Sequence, residues 1–533
     1  RAPGPDNIPY ELLQIREDPE KEQHWHLYLS RLFTAIVRTQ HFPAGWSQAW
    51  ITPAFKGGAM TDIANFRPIS LLNTLNKVFT SIITYRIHRH AEKIGVFMDS
   101  QGGARRWRDC RYKLYTAKSA ISHARSNERP LYILQTDIAK AFDSVPTDIV
   151  DQALRYFGFQ DDTRRLVRAI LSNNQARIAT PAPRPRTFNI MRGTRQGDGL
   201  SPTLFIITYE LVLRQIAAAG SGYRWNLRSD QQLETKIVGF MDDANIFAES
   251  TTELTRMASA MHSALESMGM ELSLPKLKLF GNRFTNPSDS ITIAGHTVRR
   301  EPESKQFRIL GMWTSMDDSS SSQQERQLDA ARTLIRRLRW FPASPQQTAR
   351  VINATLLQKL AWASETIHWN KRDIAKTNDL AMRLVKKRLR KPQREARSVF
   401  YSDTSSGGIG LREFGSMIET RTTDFVHKLL NVDRDKEANR IARGSLADIS
   451  ETIASNHATL RIAQGLRLPA RMDQWPISRM IRRASSQRCM IVTKSAPQLT
   501  IPIELRDIGI SMSAARALHR KGIFYPDQIA HED

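Results

Sequence analysis

The sequence predicts an α+β protein built from several structural units, and three observations lead to that prediction. The chain has 533 residues, and 41% of them are hydrophobic, which is enough for sizeable buried cores. Short strand-like runs alternate with helical patterns over residues 1–316. After the polar run DDSSSSQQ at 317–324 the pattern becomes helical and basic, so this run is expected to be a linker.

The first strongly patterned strand is LYILQTD, 131–137, which alternates in polarity and ends on Asp137. The segment after it, AFDSVPTDIVDQALRYFGF, predicts a helix. Pro146 suits its first turn, and Gly158 suits its C-terminal end.

A second helix and an acidic hairpin follow. SPTLFIITYELVLRQIAAA, 201–219, is a helical pattern that Gly220 ends. IVGFM and ANIFA are short apolar runs, which predict two strands joined by a tight turn with Asp242 and Asp243 at the bend. A solvated hairpin turn is the ordinary interpretation of such a pair, because Asp is common in turns.

The charge of the chain indicates its partners. The formal net charge is +25, which implies a polyanion such as nucleic acid. The alternative is a membrane surface, but the sequence contains no apolar run of spanning length and no lipidation signal. The densest basic run, 383–397, follows Trp340, Trp362 and Trp369; in this basic chain nucleic-acid contact is favoured over a solvated helix face.

Two cysteines, Cys110 and Cys489, exclude a disulfide framework and a cysteine-based zinc site within this chain, which fits an intracellular compartment. The first residues contain neither a signal peptide nor an initiator Met, so we expect the chain to be part of a longer one.

Carboxylates at strand ends in a polyanion-binding chain suggest a metal site. Carboxylate oxygens suit Mg²⁺, which is typically shared with substrate phosphates. Two such ions about 4 Å apart can activate an attacking oxygen and stabilise a leaving one. Asp137, Asp242 and Asp243 would meet in this way if their strands are neighbours in one sheet.

Several motifs resemble those of one polymerase family. QTDIAKAFDSV, RGTRQGDGLSP and FMDD, in this order, are similar to the motif set of reverse transcriptases, and more specifically to the non-LTR (LINE-type) retrotransposon branch. APGPDNIPYELL, NFRPISLLN and QGGARR precede them in family order, and GMELSLPKLK, FRILGMW and SSGGIGLREF follow. The resemblance runs from residue 1 to about residue 415.

The resemblance implies a right-hand polymerase fold of fingers, palm and thumb, with an antiparallel-sheet palm and a helical C-terminal extension. Residues 1–130 would be N-terminally truncated fingers with part of the palm, and 131–316 the palm with the catalytic motifs. Residues 325–400 would be a helical, basic thumb. Residues 401–533 would be a helical linker region.

The resemblance also implies an RNA-directed DNA polymerase. Asp137 and Asp242 would bind two Mg²⁺ ions, with Mn²⁺ as an alternative, and the backbone carbonyl of Ile138 would help. Asp243 would complete the acidic pair. The implied partners are an RNA template, a DNA primer or target DNA, and dNTPs, with no membrane. The implied location is nuclear.

Further matching positions would contact substrate. Phe142 matches the steric gate that excludes a ribose 2′-OH, and its alternative is a core Phe. Gln196 and Gly197 match the loop against the templating base, where glycine permits close approach of backbone. Lys56 and Arg67 would grip the triphosphate; without the resemblance both are ordinary surface cations.

Lys276 matches a lysine proposed to protonate or stabilise the departing pyrophosphate, and its alternative is a solvated lysine. FRILGMW would be the primer-gripping hairpin, although Trp313 could equally be a core residue. Three positions depart from the family pattern: Met241 replaces the usual Ala, Gly199 the usual Pro, and Ala104 a common aromatic residue. These departures put fidelity and processivity in question and leave open a decayed element copy.

Rival interpretations stay open. One is a catalytically silent RNA-binding scaffold with a polymerase-like palm; another is an RNA-dependent RNA polymerase or an intron-maturase-type reverse transcriptase. Phe142 argues against ribonucleotide use. In the tail, LRDIGISMSAARALHRKGIFYPDQI has helix–turn–helix spacing with Gly509 and Gly522 at turns, against the alternative of a generic helical bundle.

Overall fold

The computed structural model describes residues 3–14, 24–179, 186–367, 369–389, 397–432, 434–452 and 468–485. The expected helix–turn–helix at the C-terminus and the second half of the basic run at 383–397 lie outside the described residues.

Helices make up most of the described chain. They are α1 (His24–Thr39), α2 (Thr74–Lys93), α3 (Cys110–Ser126), α4 (Ala141–Ser144), α5 (Thr147–Tyr156), α6 (Asp161–Leu171), α7 (Leu200–Ala219), α8 (Thr251–Ser267), α9 (Ser321–Leu338), α10 (Pro345–Val351), α11 (Leu357–Leu360), α12 (Lys371–Leu389), α13 (Arg397–Tyr401), α14 (Phe414–Asn431), α15 (Lys436–Thr452), α16 (Ala470–Asp473) and α17 (Pro476–Ser485).

The strands are short and belong to four sheets. They are β1 (Gln48–Phe55), β2 (Phe66–Leu72), β3 (Tyr132–Thr136), β4 (Gln175–Ile178), β5 (Thr187–Asn189), β6 (Tyr223–Arg224), β7 (Glu234–Thr235), β8 (Ile237–Phe240), β9 (Asp243–Ala248), β10 (Lys278–Gly281), β11 (Ser290–Ile293), β12 (His296–Glu301), β13 (Phe307–Ile309) and β14 (Met312–Thr314).

The largest sheet has the strand order β11-β12-β10-β3-β9-β8. β3 pairs antiparallel with both β9 and β10, and β8 pairs antiparallel with β9, as predicted for the palm. β12 runs parallel to β10, which departs from a purely antiparallel sheet. The reason is a tight turn at Ala294 and Gly295, both with positive φ, which reverses the chain between β11 and β12. The α+β fold class predicted from the sequence is confirmed.

One face of this sheet is covered by α7 and α8. α7 is hydrophobic on nearly all sides, and Leu204, Phe205, Ile206 and Ile207 in the middle of it are fully buried. α2 and α5 pack against α7 in turn. The predicted helix at 201–219, with Gly220 at its C-terminal end, is confirmed.

The other face carries α3, against which the C-terminal helices α15 and α17 pack. Lys113 of α3 is completely buried and lies 3.0 Å from a carboxylate oxygen of Asp435, just before α15. A buried lysine needs such a partner, because an unpaired charge is costly in an apolar interior. The helical extension is therefore joined to the sheet by a buried ion pair.

A second sheet, of order β2-β1-β4-β5, lies at the N-terminal side of the chain. β1 and β2 form a long antiparallel hairpin in which Ala54 is opposite Arg67. Among the described residues, no helix is both long and apolar enough to cross a membrane.

The linker predicted at 317–324 is wrong from Ser321 onwards, where α9 begins. Two glutamines of α9 are buried and make hydrogen bonds to neighbouring elements. Gln323 accepts from the Trp313 amide at 2.9 Å, and Gln327 donates to the carbonyls of Lys359 and Trp362 at 3.1 and 2.9 Å. The polar composition of this segment suggested a solvated linker, whereas both side chains make hydrogen bonds inside the protein.

Candidate active site

The acidic hairpin forms, although the prediction that both aspartates lie at the bend is wrong for Asp243, which is the first residue of β9. β8 and β9 are joined by a two-residue turn of Met241 and Asp242, with Phe240 paired to Asp243 across it. Met241 has φ +61°, a left-handed conformation that costs a residue with a side chain about 1–2 kcal/mol. Val238 and Ala244 on either side are buried, so the turn is fixed at the end of the sheet by its apolar flanks.

Asp137 lies at the same end of the sheet as this turn. The β3–β9 pairing ends with Thr136 opposite Ala244, so Asp137 and Asp243 are the next residues on two neighbouring strands. Directly opposite residues of an antiparallel pair have Cβ atoms about 5 Å apart. The structure thus brings together the three aspartates that the sequence singled out.

The charges of the three carboxylates act on one another. Burial raises the pKa of Asp242 and, together with the charge of Asp137, outweighs the opposite effect of the Arg67 guanidinium. Burial also raises the pKa of Asp243, and the charges of Asp242 and Asp137 raise it further, while Arg308 opposes this. The site therefore concentrates negative charge.

A cationic side chain already touches this cluster. Nζ of Lys276, in the 3₁₀ turn Leu274–Lys276, lies 2.7 Å from Oδ2 of Asp137. The turn is held against β3's end, because the Ser273 amide donates to the Asp137 carbonyl at 2.9 Å. Two thirds of the Lys276 side chain remains exposed, so the ion pair leaves both the leaving-group role and the solvated alternative as predictions.

The donor set fits a divalent ion in its chemistry. Within the described ranges, no three His, Cys, Asp or Glu side chains are close enough together to form a ready-made ligand shell. The three carboxylates are nevertheless hard oxygen donors, and the pKa values of Asp242 and Asp243 are raised by burial and mutual repulsion. Mg²⁺ suits such a partial set, since it keeps several waters and takes other ligands from phosphates.

Phe142, the expected steric gate, lies in α4 and is half-buried. Its ring stacks on Phe205 of α7 with centroids 4.8 Å apart, and Phe205 stacks on Tyr209 at 5.6 Å. The Thr194 amide donates to the Phe142 carbonyl at 2.8 Å. These contacts hold the Phe142 ring in a fixed position. A steric gate requires a fixed ring, but a core Phe would have one too.

The loop of Gln196 and Gly197 packs against β2. The Ser70 amide donates to the Gln196 carbonyl at 2.7 Å, and Gly197 has φ +119°. A Cβ at Gly197 would lie 2.4 Å from the Ser70 carbonyl oxygen, so only glycine fits there. The glycine is thus required by close approach to a neighbouring strand.

A cleft of about 790 Å³ is lined mostly by residues of β1, β2, β4 and β5 and of the loop before α7. Its lining includes Arg67, Gln196, Arg192 and Asp143. Lys56 is exposed at the start of the loop between β1 and β2, and it is near enough for its charge to lower the pKa of Asp143, which burial raises. Arg67 therefore lines the cleft, and its charge acts to lower the pKa of Asp242. Lys56 lies beside the cleft.

Gln101 is a site residue that the sequence did not reveal. Its fully buried side-chain amide accepts from the Met241 amide at 2.8 Å and donates to the Met241 carbonyl at 2.9 Å. It also accepts from the Gly103 amide at 2.7 Å. A Cβ at Gly103 would lie 2.2 Å from the Met241 nitrogen. QGGARR thus holds the turn that carries Asp242, and a motif match alone gave no signal of that contact.

The β13–β14 hairpin, predicted from FRILGMW, lies beside β3. Its Arg308 carbonyl accepts from the Gln135 side chain at 2.8 Å. Trp313 is half-buried, and the Arg326 guanidinium carbon lies 4.2 Å from its ring centre. Arg308, Trp313 and residues of α9 line a groove of about 650 Å³.

Comparison with known proteins adds the following. Residues 56–314 match the family model described as reverse transcriptase (RNA-dependent DNA polymerase). The "Retrovirus-related Pol polyprotein from type-1 retrotransposable element R2" of Nasonia vitripennis is 26% identical over 408 residues, which cover 73% of this chain and 37% of that protein. Its namesake in Popillia japonica is 23% identical over 429 residues, which cover 77% and 56%.

A third relative is the "RNA-directed DNA polymerase from mobile element jockey" of Drosophila melanogaster, 22% identical over 353 residues that cover 64% of this chain and 36% of the relative. The chain thus spans between 36% and 56% of the length of these three relatives. Among solved structures, apo telomerase from Candida tropicalis has a TM-score of 0.41 and 10% identity, covering 87% of this chain and 74% of that one.

Proposed function

We propose that the chain is an RNA-directed DNA polymerase of the non-LTR retrotransposon type that extends a DNA 3′-OH on an RNA template, because residues 56–314 match the reverse transcriptase family model and the relatives include polymerases of such elements. The observation that carries the proposal is the common position of Asp137, Asp242 and Asp243 at one end of the sheet. Their raised pKa values and the adjacent cations match a site that handles phosphates.

Reverse transcriptases work with divalent metal ions, and the finer proposal is two Mg²⁺ ions, with Mn²⁺ as the alternative. Bound there, such ions would supply the charge that activates the 3′-OH and neutralises the leaving pyrophosphate. Asp137 and Asp242 would hold them, with the Ile138 carbonyl as a further ligand. Asp243 adds negative charge next to both.

Lys276 would act at the leaving group in this proposal. In the structure its ammonium is bound to Asp137 through Oδ2. A metal ion that took this oxygen would release the ammonium, and the long exposed side chain would then reach a phosphate beside the carboxylate. A cation there stabilises the charge that develops on the departing pyrophosphate.

The nucleotide would enter through the cleft beside Phe142. Arg67 lines that cleft and acts on the pKa of Asp242, so its guanidinium is placed to bind a triphosphate near the carboxylates. Lys56 adds charge at the side, and Gln196 contributes polar lining. The supported ring of Phe142 would exclude a 2′-OH and select dNTPs.

An RNA template and a DNA primer or target DNA are the proposed nucleic-acid partners, in agreement with the net charge of +25. A nuclear location is a proposal drawn from the retrotransposon family alone.

The test is primer extension on poly(rA)/oligo(dT) with dTTP and Mg²⁺, comparing the parent chain with Asp242→Ala. Asp162→Ala is the matched control, because Asp162 lies on the surface of α6 with 76% of its side chain exposed. We expect extension by the parent and the control and none by Asp242→Ala. No extension by a parent chain that still binds RNA would overturn the proposal and favour a silent scaffold; extension with rUTP but not dTTP would favour an RNA polymerase.

A further inference from the structure

A row of two aromatic rings and two arginines lies on the surface beside the catalytic hairpin. We call Tyr85, Arg106, Trp107 and Arg434 the basic-aromatic patch. The Arg106 guanidinium carbon lies 5.9 Å from the ring centre of Tyr85 and 5.0 Å from that of Trp107. That of Arg434 lies 5.1 Å from the Trp107 ring centre. Tyr85 is 51% exposed and Trp107 62% exposed, so at least half of each residue is open to solvent.

The arginines of this region differ in their partners. Arg105, just before Arg106, is buried and forms an ion pair with Glu92 at 2.7 Å. Arg108, just after Trp107, pairs with Asp99 at 2.8 Å. In the described part of the chain, Arg106 and Arg434 form no ion pair with a carboxylate. Arg106 and Arg434 are thus the arginines that contact the two exposed rings, and their charge is available to a phosphate.

Trp107 is exposed on a loop whose backbone has an unfavourable conformation. Trp107 has φ +66°, and Ala104 has φ +51°. Such conformations cost a residue with a side chain about 1–3 kcal/mol each and persist only where the surroundings enforce them. Arg105, between them, enforces them by donating to the carbonyls of Met98 and Gln101 at 2.8 and 3.0 Å. A large apolar ring is thus held in solvent by a strained but well-fixed loop.

We propose that the basic-aromatic patch binds unpaired RNA of the template strand. Bases would stack on the rings of Trp107 and Tyr85, and phosphates would lie against Arg106 and Arg434. Alternating rings and cations are what single-stranded nucleic acid requires, because every base has a face that can stack and every nucleotide carries one negative charge. Bases in a duplex are already stacked and would not be available to these rings.

The position of the patch indicates that it binds the template strand rather than the primer strand. Its loop joins the sheet at the edge strand β8, through a bridge of Gln101 with Gly239. The β13–β14 hairpin contacts Gln135 of β3, which is separated from β8 by β9. The carboxylates therefore lie between the two. If the hairpin holds the primer, as the resemblance of FRILGMW implies, the patch faces the other strand; this assignment rests on the proposed function.

The first test is the binding of a fluorescent 20-nucleotide single-stranded RNA, measured by anisotropy at fixed salt. Trp107→Ala is compared with Tyr156→Ala, a matched control on α5 whose ring is 67% exposed. We expect Kd to rise at least about fivefold for Trp107→Ala, the effect of losing one stacked base, and to stay unchanged for Tyr156→Ala. Equal Kd values for parent and Trp107→Ala, with equal melting temperatures, would overturn the proposal.

The second test separates the patch from the catalytic proposal. Extension is measured on primed RNA templates with either one or twelve unpaired template nucleotides ahead of the primer. Trp107→Ala and Arg106→Lys, which keeps the charge but loses the planar group, should raise the KM for the long-overhang template and leave the one-nucleotide template unchanged. An equal change on both templates would overturn the template assignment. If the parent does not extend any primer, the proposed function fails, while the binding test still decides on the patch.

Discussion

Gln101 provides a sharp test of how the hairpin is held. Gln101→Met keeps the size of the side chain and removes its three hydrogen bonds, to the Met241 amide and carbonyl and to the Gly103 amide. Each buried polar group left without a partner costs about 1–3 kcal/mol, and water can reach half-buried Met241. We therefore expect the free energy of unfolding to fall by about 3 kcal/mol.

The larger consequence should be kinetic. Met241 has φ +61° and without the amide is free to relax towards a commoner conformation, which moves Asp242 next to it. A misplacement of about 1 Å in a catalytic group can cost about 100-fold in rate. We expect kcat in single-nucleotide extension to fall about 10- to 100-fold, with the KM for dTTP changed less than about threefold.

The matched control is Asn439→Leu. Asn439 is also a buried amide that donates to backbone carbonyls, of Lys428, Leu429 and Val432, but it lies in α15 and contacts the C-terminal end of α14. It should lose a similar stability and no kcat when assayed below its melting temperature. A Gln101→Met chain that is folded and extends at a rate within about twofold of the parent would refute the positioning role.

Three further predictions follow from side chains near the site. Phe142→Val should raise the use of rUTP relative to dTTP by about tenfold or more, measured by competing incorporation, because the supported ring is removed; an unchanged ratio would make Phe142 a core residue. Lys276→Ala should slow extension about tenfold, while Lys278→Ala on β10, two residues away, should not; equal rates for Lys276→Ala and the parent would remove this lysine from the mechanism. Glu210 is fully buried, and burial raises its pKa to about 7 from an ordinary 4.5, so the folded state holds an extra proton between these values and stability falls as pH rises through them. Glu210→Gln should therefore gain up to roughly 3 kcal/mol over the parent between pH 4.5 and pH 8 in urea unfolding, and a gain independent of pH would contradict this.

Local patterns in the sequence were sufficient for the elements that carry the aspartates. The alternation of LYILQTD and the two apolar runs around Asp242 and Asp243 gave the strands, because side chains that alternate between core and solvent leave a period of two. α7 was equally clear, since an apolar segment of 20 residues ending at a glycine leaves few alternatives. The roles of the site residues and the domain boundaries stay predictions.

Contacts between distant segments could not be predicted in the same way. Gln101 and Met241 are 140 residues apart, and no local pattern marks a glutamine that hydrogen-bonds a turn so far along the chain. The ion pair of Lys276 with Asp137 spans 139 residues. The start of α9 was missed for a related reason: Gln323 and Gln327 are polar, and their burial depends on partners in other elements.

The central claim is that Asp137 and Asp242 hold two divalent ions at the end of the sheet. The most direct measurement is an electron paramagnetic resonance titration with Mn²⁺ of the parent and Asp242→Asn, each bound to chain-terminated primer on RNA template with dTTP. The account predicts two ions per chain for the parent and weakened or lost binding of at least one for Asp242→Asn. Two ions bound with equal affinity by both chains would contradict it.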